Sequence, residues 1–258
     1  MYRMLIASAV AVAIFALMGT PVHAADDGHA HDGHANHKAK TDDGQRVGDP
    51  YPLMVDPLGD SLIEVDKPII ILHDGRELRF ASEENLEKFK KDPAKYLAEL
   101  DKKIIAQQTP LYPLKTCVVA GGELGGMGDP IDFVYGNRLV QFCCKGCTGK
   151  FKKDPAKYLA KIDAAVIEAQ KADYPLDTCV VSGEKLGGEM GEPIDYVIGT
   201  RLVRFCCKGC VKMFEKNPAK YLAKFEHQAE HEDGEHADGD HGDNHDEKNG
   251  HEHHGHNH

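Results

Sequence analysis

An internal repeat constrains the fold of this chain more than any other feature of its sequence. The segment that begins at Tyr112, YPLKTCVVAGGELGG, returns at Tyr174 as YPLDTCVVSGEKLGG. A degenerate third copy begins at Tyr51, and the three starts lie 61 and 62 residues apart. Units of this length bury little apolar surface alone, so each needs a staple or a neighbour. The repeat therefore predicts three small tandem units.

Each unit carries the signals of a β-hairpin followed by two helices, which is an α+β arrangement. In the second unit, Ile131–Tyr135 and Arg138–Phe142 are rich in β-branched and aromatic residues and flank a Gly-Asn pair, a pattern typical of a hairpin. A short helix is expected from Cys144 to Phe151. An Asp-Pro pair at 154–155 then predicts a second helix, because Asp caps free N–H groups and Pro fits the first helical position. The apolar face of this helix is predicted to comprise Tyr158, Leu159, Ile162, Val166 and Ala169.

All eight cysteines fall in the second and third units, at matching positions. In each unit one cysteine lies in a Gly-rich loop before the hairpin, and three lie where the second strand becomes a helix. Residues three or four apart share a helical face, and a helix N-terminus favours the thiolate that binds metal. The predicted metal ligands are Cys117, Cys143, Cys144 and Cys147 in the second unit, and Cys179, Cys206, Cys207 and Cys210 in the third. Three thiolates suit trigonal Cu(I) and four suit tetrahedral Zn(II), and the sequence leaves both open.

The run FCCKGC, followed by F-x-x-x-P-A-K-Y-L and preceded by a cysteine in a Gly-rich loop, resembles the YHS and TRASH group of small cysteine modules. The resemblance covers about 50 residues of each cysteine-containing unit, and it implies a treble-clef-like hairpin and helix with a metal-chelating trio. By this resemblance the trios are Cys117, Cys143 and Cys147, and Cys179, Cys206 and Cys210. Cys144 and Cys207 are additional to the pattern, and the gap from loop cysteine to pair is longer than usual.

Two other roles for the cysteines remain open. Four cysteines in a small exported unit could form two disulfides that staple the core without metal, which would suit an adaptor module that binds a protein partner. The CKGC segment, which follows a strand and opens a helix, is also found in thiol-disulfide redox proteins, although the unit is too short for the usual βαβ context.

The first unit lacks cysteine altogether. Asp56, Ala81, Ser82 and Asn85 stand at the positions of the four cysteines, whereas FKKDPAKYL is retained. We expect a structural copy without thiol chemistry. The alternative is a site of hard ligands that would use Asp56 and His73.

Two His-rich tails flank the repeats. Residues 226–258 contain eleven acidic residues and the single base Lys248, so most of the formal net charge of −11 lies there. Low aliphatic content and high charge predict disorder, and imidazoles among carboxylates suit weaker metal sites. The predicted weak ligands are His29, His31, His34 and His37, and His236, His241, His245, His251, His253, His254, His256 and His258. The acidic charge argues against a nucleic-acid partner.

The first 24 residues predict export. One early Arg, an apolar run from Met4 to Met18 and the sequence Val22-His23-Ala24 have the form of a cleaved secretory signal. The run is short for a membrane span, and no second stretch of the chain predicts one. The expected location is therefore the periplasm or the exterior, where thiols pair, hold metal or are kept reduced.

Together these patterns predict an exported protein, not an enzyme, that binds Cu(I) or Zn(II) for buffering, delivery or detoxification. Metal ions, and a metal transporter or acceptor protein, are the expected partners. The predicted segments are a signal at 1–24, a His-rich segment at 25–48, repeat units at 49–109, 110–172 and 173–225, and an acidic His-rich tail at 226–258.

Overall fold

The computed structural model describes residues 46–232, which form three successive units of one antiparallel hairpin and two helices. The first unit contains β1 (Ile69–His73), β2 (Arg76–Phe80), α1 (Glu83–Lys91) and α2 (Pro93–Gln108), followed by a 3-10 turn at Thr109–Leu111. The second contains β3 (Ile131–Tyr135), β4 (Arg138–Phe142), α3 (Lys145–Phe151) and α4 (Pro155–Gln170). The third contains β5 (Ile194–Ile198), β6 (Arg201–Phe205), α5 (Lys208–Lys216) and α6 (Pro218–Glu232). The predicted mixed architecture of three tandem hairpin-helix units is confirmed.

The hairpins close through tight two-residue turns. In the second unit Tyr135 pairs with Arg138 across Gly136 and Asn137. Gly136 has a φ of 61°, a left-handed conformation that glycine adopts without a Cβ penalty. A Cβ at this position would also overlap the carbonyl oxygen of Val47. Glycine is therefore required both by the turn and by the approach of the N-terminal segment.

The second helix of each unit begins as its sequence predicts. The side chains of Asp92 and Asp154 accept hydrogen bonds from the backbone N–H groups of Lys95 and Lys157, both at 3.3 Å, and proline follows each cap. The predicted apolar face of α4 is confirmed at three positions, because Leu159, Ile162 and Val166 are buried, whereas Tyr158 is half-buried and Ala169 is exposed. Asp163 is buried on the same helix.

Each unit has its own apolar core, and the cores are joined. The core of the second unit contains Phe142, Phe151 and the buried face of α4, and it also receives Val197 and Leu202 from the third unit. Ala219 of the third unit packs in the core of the first. Units too small to bury enough surface alone therefore share it with their neighbours.

The hairpin turns are fixed by glutamines at the ends of the linking helices. Gln108, the last residue of α2, donates from Nε2 to the Asn137 carbonyl at 2.9 Å and accepts from the Leu139 N–H at 2.7 Å. Gln170 of α4 makes the same pair of bonds to Thr200 and Leu202 of the third unit. Each linking helix thus satisfies the polar backbone of the following hairpin.

Arg138 connects all three units through a buried ion-pair network. Its guanidinium donates to Asp49 at 2.7 and 3.1 Å and to Asp163 at 2.7 Å, and Arg138 and Asp49 are fully buried. Asp49 also accepts the backbone N–H of Gly199 at 2.7 Å. The buried position of Asp163 on α4 is explained by this network.

The first and third units also contact each other directly. The buried Arg79 donates to the carbonyl oxygens of Glu215 and Lys216 at 2.6 Å, at the end of α5. A cation at a helix C-terminus is favourable, because the last carbonyl groups have no partner within the helix. Asn217 donates in turn to the Val65 carbonyl at 3.0 Å.

The described residues include structured segments beyond both predicted tail boundaries. Val47 is buried and its N–H donates to the Gly75 carbonyl at 2.7 Å, so the last residues of the predicted segment 25–48 belong to the first unit. Helix α6 continues seven residues past 225, and Ala229 packs against the third core. Most of both tails, all twelve predicted tail histidines and the signal at 1–24 lie outside the described residues. Within residues 46–232, no helix is both long enough and apolar enough to cross a membrane.

Candidate metal centre

The second unit brings three cysteine sulfurs together. Cys117 comes from the loop before β3, Cys143 follows β4, and Cys147 lies in the first turn of α3. Their three Sγ atoms lie within 4.8 Å of one another, and the Sγ atoms of Cys143 and Cys147 are 4.0 Å apart. Cys117 and Cys147 are buried, and Cys143 is half-buried.

The third unit repeats the arrangement with greater burial. The Sγ atoms of Cys179, Cys206 and Cys210 also lie within 4.8 Å of one another, and all three residues are buried. The Sγ atoms of Cys206 and Cys210 are 3.6 Å apart. Among residues 46–232, these two trios are the only groups of three or more His, Cys, Asp or Glu side chains that could hold a metal ion.

A tight turn positions the loop cysteine of each trio. The N–H of Cys117 donates to the Gly122 carbonyl, and the N–H of Gly121 donates to the Cys117 carbonyl, both at 2.7 Å. Gly121 has a φ of 72°, a left-handed conformation that favours glycine. A Cβ at this position would have no heavy atom within 4 Å, so glycine is needed for the backbone conformation and not for lack of space. The same two bonds surround Cys179 in the third unit.

This turn directs backbone N–H groups at the loop sulfur. Burial raises the pKa of Cys117, but hydrogen bonds from the N–H groups of Cys143, Ala120 and Val119 outweigh burial, and the net pKa is lowered. For Cys179 the corresponding N–H groups and the hydroxyl of Ser182 lower the pKa to about 7 despite burial. Hydrogen bonds to the thiolate favour the charged form. In both trios the loop sulfur is therefore the one whose pKa is shifted towards the thiolate form.

The helix cysteine of each trio has the opposite tendency. Burial, together with hydrogen bonds to Cys144 and Cys117, raises the pKa of Cys147 to about 12. Burial also raises the pKa values of Cys143, Cys206 and Cys210. Without a metal ion these sulfurs are thiols, and ion binding must displace their protons.

Cys144 and Cys207 lie beside the trios but not within them. Each is the N-cap of its helix, in an extended conformation. The Cys144 Sγ lies 3.6 Å from that of Cys147, and the Cys207 Sγ lies 3.7 Å from that of Cys210. Both residues are half-buried. Hydrogen bonds lower the pKa of Cys144. The largest contribution is the bond with the Cys147 thiol, and the backbone N–H groups of Cys147 and Gly146 contribute less.

The eight cysteines are free thiols. The Sγ atoms of Cys147 and Cys210 lie 3.6–4.0 Å from those of the two preceding cysteines of the same unit, well beyond the roughly 2.05 Å of a disulfide bond. The clusters therefore have the form of converging ligands rather than of covalent staples.

The first unit replaces its trio with hydrogen bonds. Asp56, at the position of the loop cysteine, accepts from the N–H groups of Leu58, Gly59 and Asp60 at 2.9–3.1 Å. The Asn85 amide donates to the carboxylates of Asp56 and Asp60, both at 2.7 Å. The His73 ring packs edge-on against Phe89 at 5.4 Å and belongs to neither candidate metal group. The structure thus favours the structural copy over a site of hard ligands.

Ser182, which no sequence pattern singles out, distinguishes the two sites. Its Oγ lies 3.3 Å from the Cys206 Sγ, and the second unit has Ala120 at this position. The difference is visible when the repeats are aligned as CVVAGG and CVVSGE, but serine in a Gly-rich loop is ordinary, and only the fold places its hydroxyl against the sulfurs.

We expect Ser182→Ala to raise the pKa of Cys179, because the thiolate loses a hydrogen-bond donor. The reduced, metal-free protein would be titrated by the ultraviolet absorbance of the thiolate. The matched variant Ala120→Ser should lower the pKa of Cys117. Unchanged titration curves for both variants would contradict a role for the hydroxyl.

Comparison of the chain with protein-family models, with curated proteins and with solved structures finds no match. The geometry of the two trios is therefore the feature that points to a function.

Proposed function

We propose that this chain is an exported protein that binds thiophilic transition metal ions, one in each cysteine trio, and serves metal buffering, delivery or detoxification. The observation that carries the proposal is the convergence of three sulfurs at equivalent places in two units. The ions are cargo, and the chain's residues hold and release them.

The sulfur spacing fits a single ion. Metal-sulfur bonds of about 2.3 Å place two sulfurs about 3.8 Å apart in a tetrahedral site and about 4.0 Å apart in a trigonal site. The separations of 4.0 Å between Cys143 and Cys147 and 3.6 Å between Cys206 and Cys210 lie close to these values. An ion can therefore enter either trio with small movements of the side chains.

The composition of the trio supports Cu(I) over Zn(II) as the preferred cargo. Three thiolates complete a trigonal Cu(I) site, whereas Zn(II) needs a fourth ligand. Cys144 or Cys207 would have to move to supply that ligand, or water would supply it. Burial of the whole third-unit trio, and of Cys117 and Cys147 in the second unit, also suits Cu(I), because a dry thiolate site protects this ion from water and oxidants.

A binding role, rather than catalysis, is supported by the enclosure of the sulfurs. Cys117 and Cys147 are 1% and 3% exposed, and Cys179 is fully buried, so a substrate has little access to an ion held there. The same arrangement of hairpin, helix and trio is what the resemblance to the YHS and TRASH group implies, and we propose that both cysteine-containing units are modules of this type.

The export signal and the histidine tails complete the proposal. After removal of residues 1–24, the tails would collect ions weakly in the periplasm or outside the cell and raise their concentration near the trios. A transporter or another metal-binding protein would then accept the ions. The rival functions are a thiol-disulfide redox protein, whose cysteines would cycle between thiols and a disulfide, and a disulfide-stapled adaptor, whose cysteines would be paired rather than free.

Mass spectrometry under non-denaturing conditions is expected to show two tightly held ions on the reduced mature chain. Excess free histidine would be included, because it strips ions from the imidazoles of the tails while leaving those held by thiolates. The matched control is the same chain after alkylation of its cysteines, which should retain no tight ion. A chain that carries no ion and four intact disulfides would contradict the proposal and favour the adaptor.

A further inference from the structure

Each trio is accompanied by one thiol of a different character. Cys144 and Cys207 are half-buried, whereas the loop and helix cysteines of both trios are buried. The remaining trio member is half-buried in the second unit (Cys143) and buried in the third (Cys206), so the contrast is sharpest in the third unit. The Sγ atoms of Cys144 and Cys207 nevertheless lie only 3.6 and 3.7 Å from those of Cys147 and Cys210. The fourth cysteine therefore reaches both solvent and the trio, and it does so in both units.

A glycine leaves space beside this thiol. The sequence following it is Lys-Gly-Cys in both units. A Cβ built on Gly146 would lie 3.9 Å from the Cys144 sulfur, and one on Gly209 would lie 3.6 Å from the Cys207 sulfur. A larger side chain at either glycine would lie against the sulfur on the exposed helix end. Glycine thus leaves room there for a ligand that arrives with the ion.

We infer that Cys144 and Cys207 are loading thiols, which take an ion from a thiolate donor and pass it to the trio by ligand exchange. The inference rests on the metal-binding function proposed above. The donor would be a small thiol or a cysteine of another metal-binding protein, since a donor ligand cannot approach sulfurs as enclosed as those of Cys117 and Cys179.

The exchange is balanced and changes no oxidation state. A bond forms between Cu(I) and the Sγ of Cys144, the bond between Cu(I) and the donor sulfur breaks, and the Cys144 proton leaves on the donor as a thiol. The ion next forms a bond to Cys147, whose sulfur is close enough for one ion to bridge both at bond lengths of about 2.3 Å. Bonds to Cys143 and Cys117 then replace the bond to Cys144. Of the protons displaced from Cys143 and Cys147, one returns to Cys144 and the other passes to water.

The test compares loading rates of the reduced mature chain and its Cys144→Ser, Cys207→Ser and double variants. Cu(I) would be supplied anaerobically as its glutathione complex, and loading would be followed in a stopped-flow instrument by thiolate-to-Cu(I) absorption. We expect each single variant to slow one of the two loading events by about tenfold or more. Affinity, measured by competition with a Cu(I) chelator, should stay within about tenfold of the original. Serine is a favoured N-cap, so these variants should fold.

Cu(I) supplied as its acetonitrile complex is the matched control, because such a small, weakly held donor reaches the trio without thiol exchange, and the variants should then load normally. Equal rates with the glutathione complex would overturn the inference and leave the proposed function intact. A loss of affinity well beyond tenfold would also overturn it, since the fourth thiol would then be an equilibrium ligand. An original chain that binds no ion would instead refute the proposed function.

Discussion

Replacement of Arg138 by methionine is expected to lower the free energy of unfolding by about 3–5 kcal/mol. The substitution retains an unbranched apolar stem but leaves the buried carboxylates of Asp49 and Asp163 without their shared cation. The cost arises because both buried carboxylates lose the cation that compensates their removal from water. Urea denaturation followed by circular dichroism would measure the change, provided that different probes report one transition.

Arg201 provides the control at the equivalent position of the third unit. It begins β6 as Arg138 begins β4, and it pairs with Glu226 at 3.4 Å, but these side chains are 28% and 39% exposed. Exposed pairs contribute about 0–1 kcal/mol, so Arg201→Met should cost at most about 1 kcal/mol. Equal losses from both variants would show that the network around Arg138 does not hold the units together.

The sequence predicts those parts of the fold that depend on neighbouring residues. The hairpins follow from two β-rich runs around a Gly-containing pair, and the second helices follow from Asp-Pro, or from Asn-Pro in the third unit, at their start. These signals lie within a few residues, and the repeat presents them three times. The N-cap bonds of Asp92 and Asp154 confirm the prediction at the level of atoms.

The contacts between units were not predictable in the same way. Arg138 is 89 residues from Asp49, and neither residue differs in sequence pattern from a solvated surface charge. Asp163 interrupts the apolar face of α4, and without its partner it reads as an exposed residue. One feature of the sequence does indicate an ion pair within each unit. The arginine that begins the second strand lies 25 residues before an acidic residue in every unit, and in the structure each arginine pairs with that acidic residue.

The cysteine sites show a similar division. Matched spacing was sufficient to predict that the cysteines converge. Spacing alone did not separate the fourth cysteine from the trio, because positions three and four apart both share a helical face. Only the resemblance to the YHS and TRASH group set Cys144 and Cys207 apart. The backbone conformation separates the two neighbouring cysteines. Cys144 has φ −157° and ψ 160°, which is an extended conformation, and successive side chains of an extended segment point to opposite sides. Cys143 therefore turns towards Cys117, and Cys144 turns away.

We expect Cys147→Ser to remove one of the two tightly bound ions. Cys147 is the central sulfur of its unit, because it lies 4.0 Å from the Sγ of Cys143 and 3.6 Å from that of Cys144, and it forms the trio with Cys117. A serine hydroxyl is a hard donor and does not ionise as a thiol does, so it is a poor ligand for a thiophilic ion. The affinity of the second unit should fall at least about a hundredfold, or roughly 2.7 kcal/mol.

Competition titration with a Cu(I) chelator, combined with mass spectrometry under non-denaturing conditions, would measure this loss. The variant retains the third-unit trio, so one ion should remain with its original affinity, and Cys210→Ser should give the mirror result. Cys144→Ser is the matched control, because it removes a thiol that lies outside the trio although its Sγ is as close to Cys147 as that of Cys143. Equal losses of affinity from Cys144→Ser and Cys147→Ser would mean that four thiolates hold the ion together, which would favour tetrahedral Zn(II) over trigonal Cu(I) as the cargo.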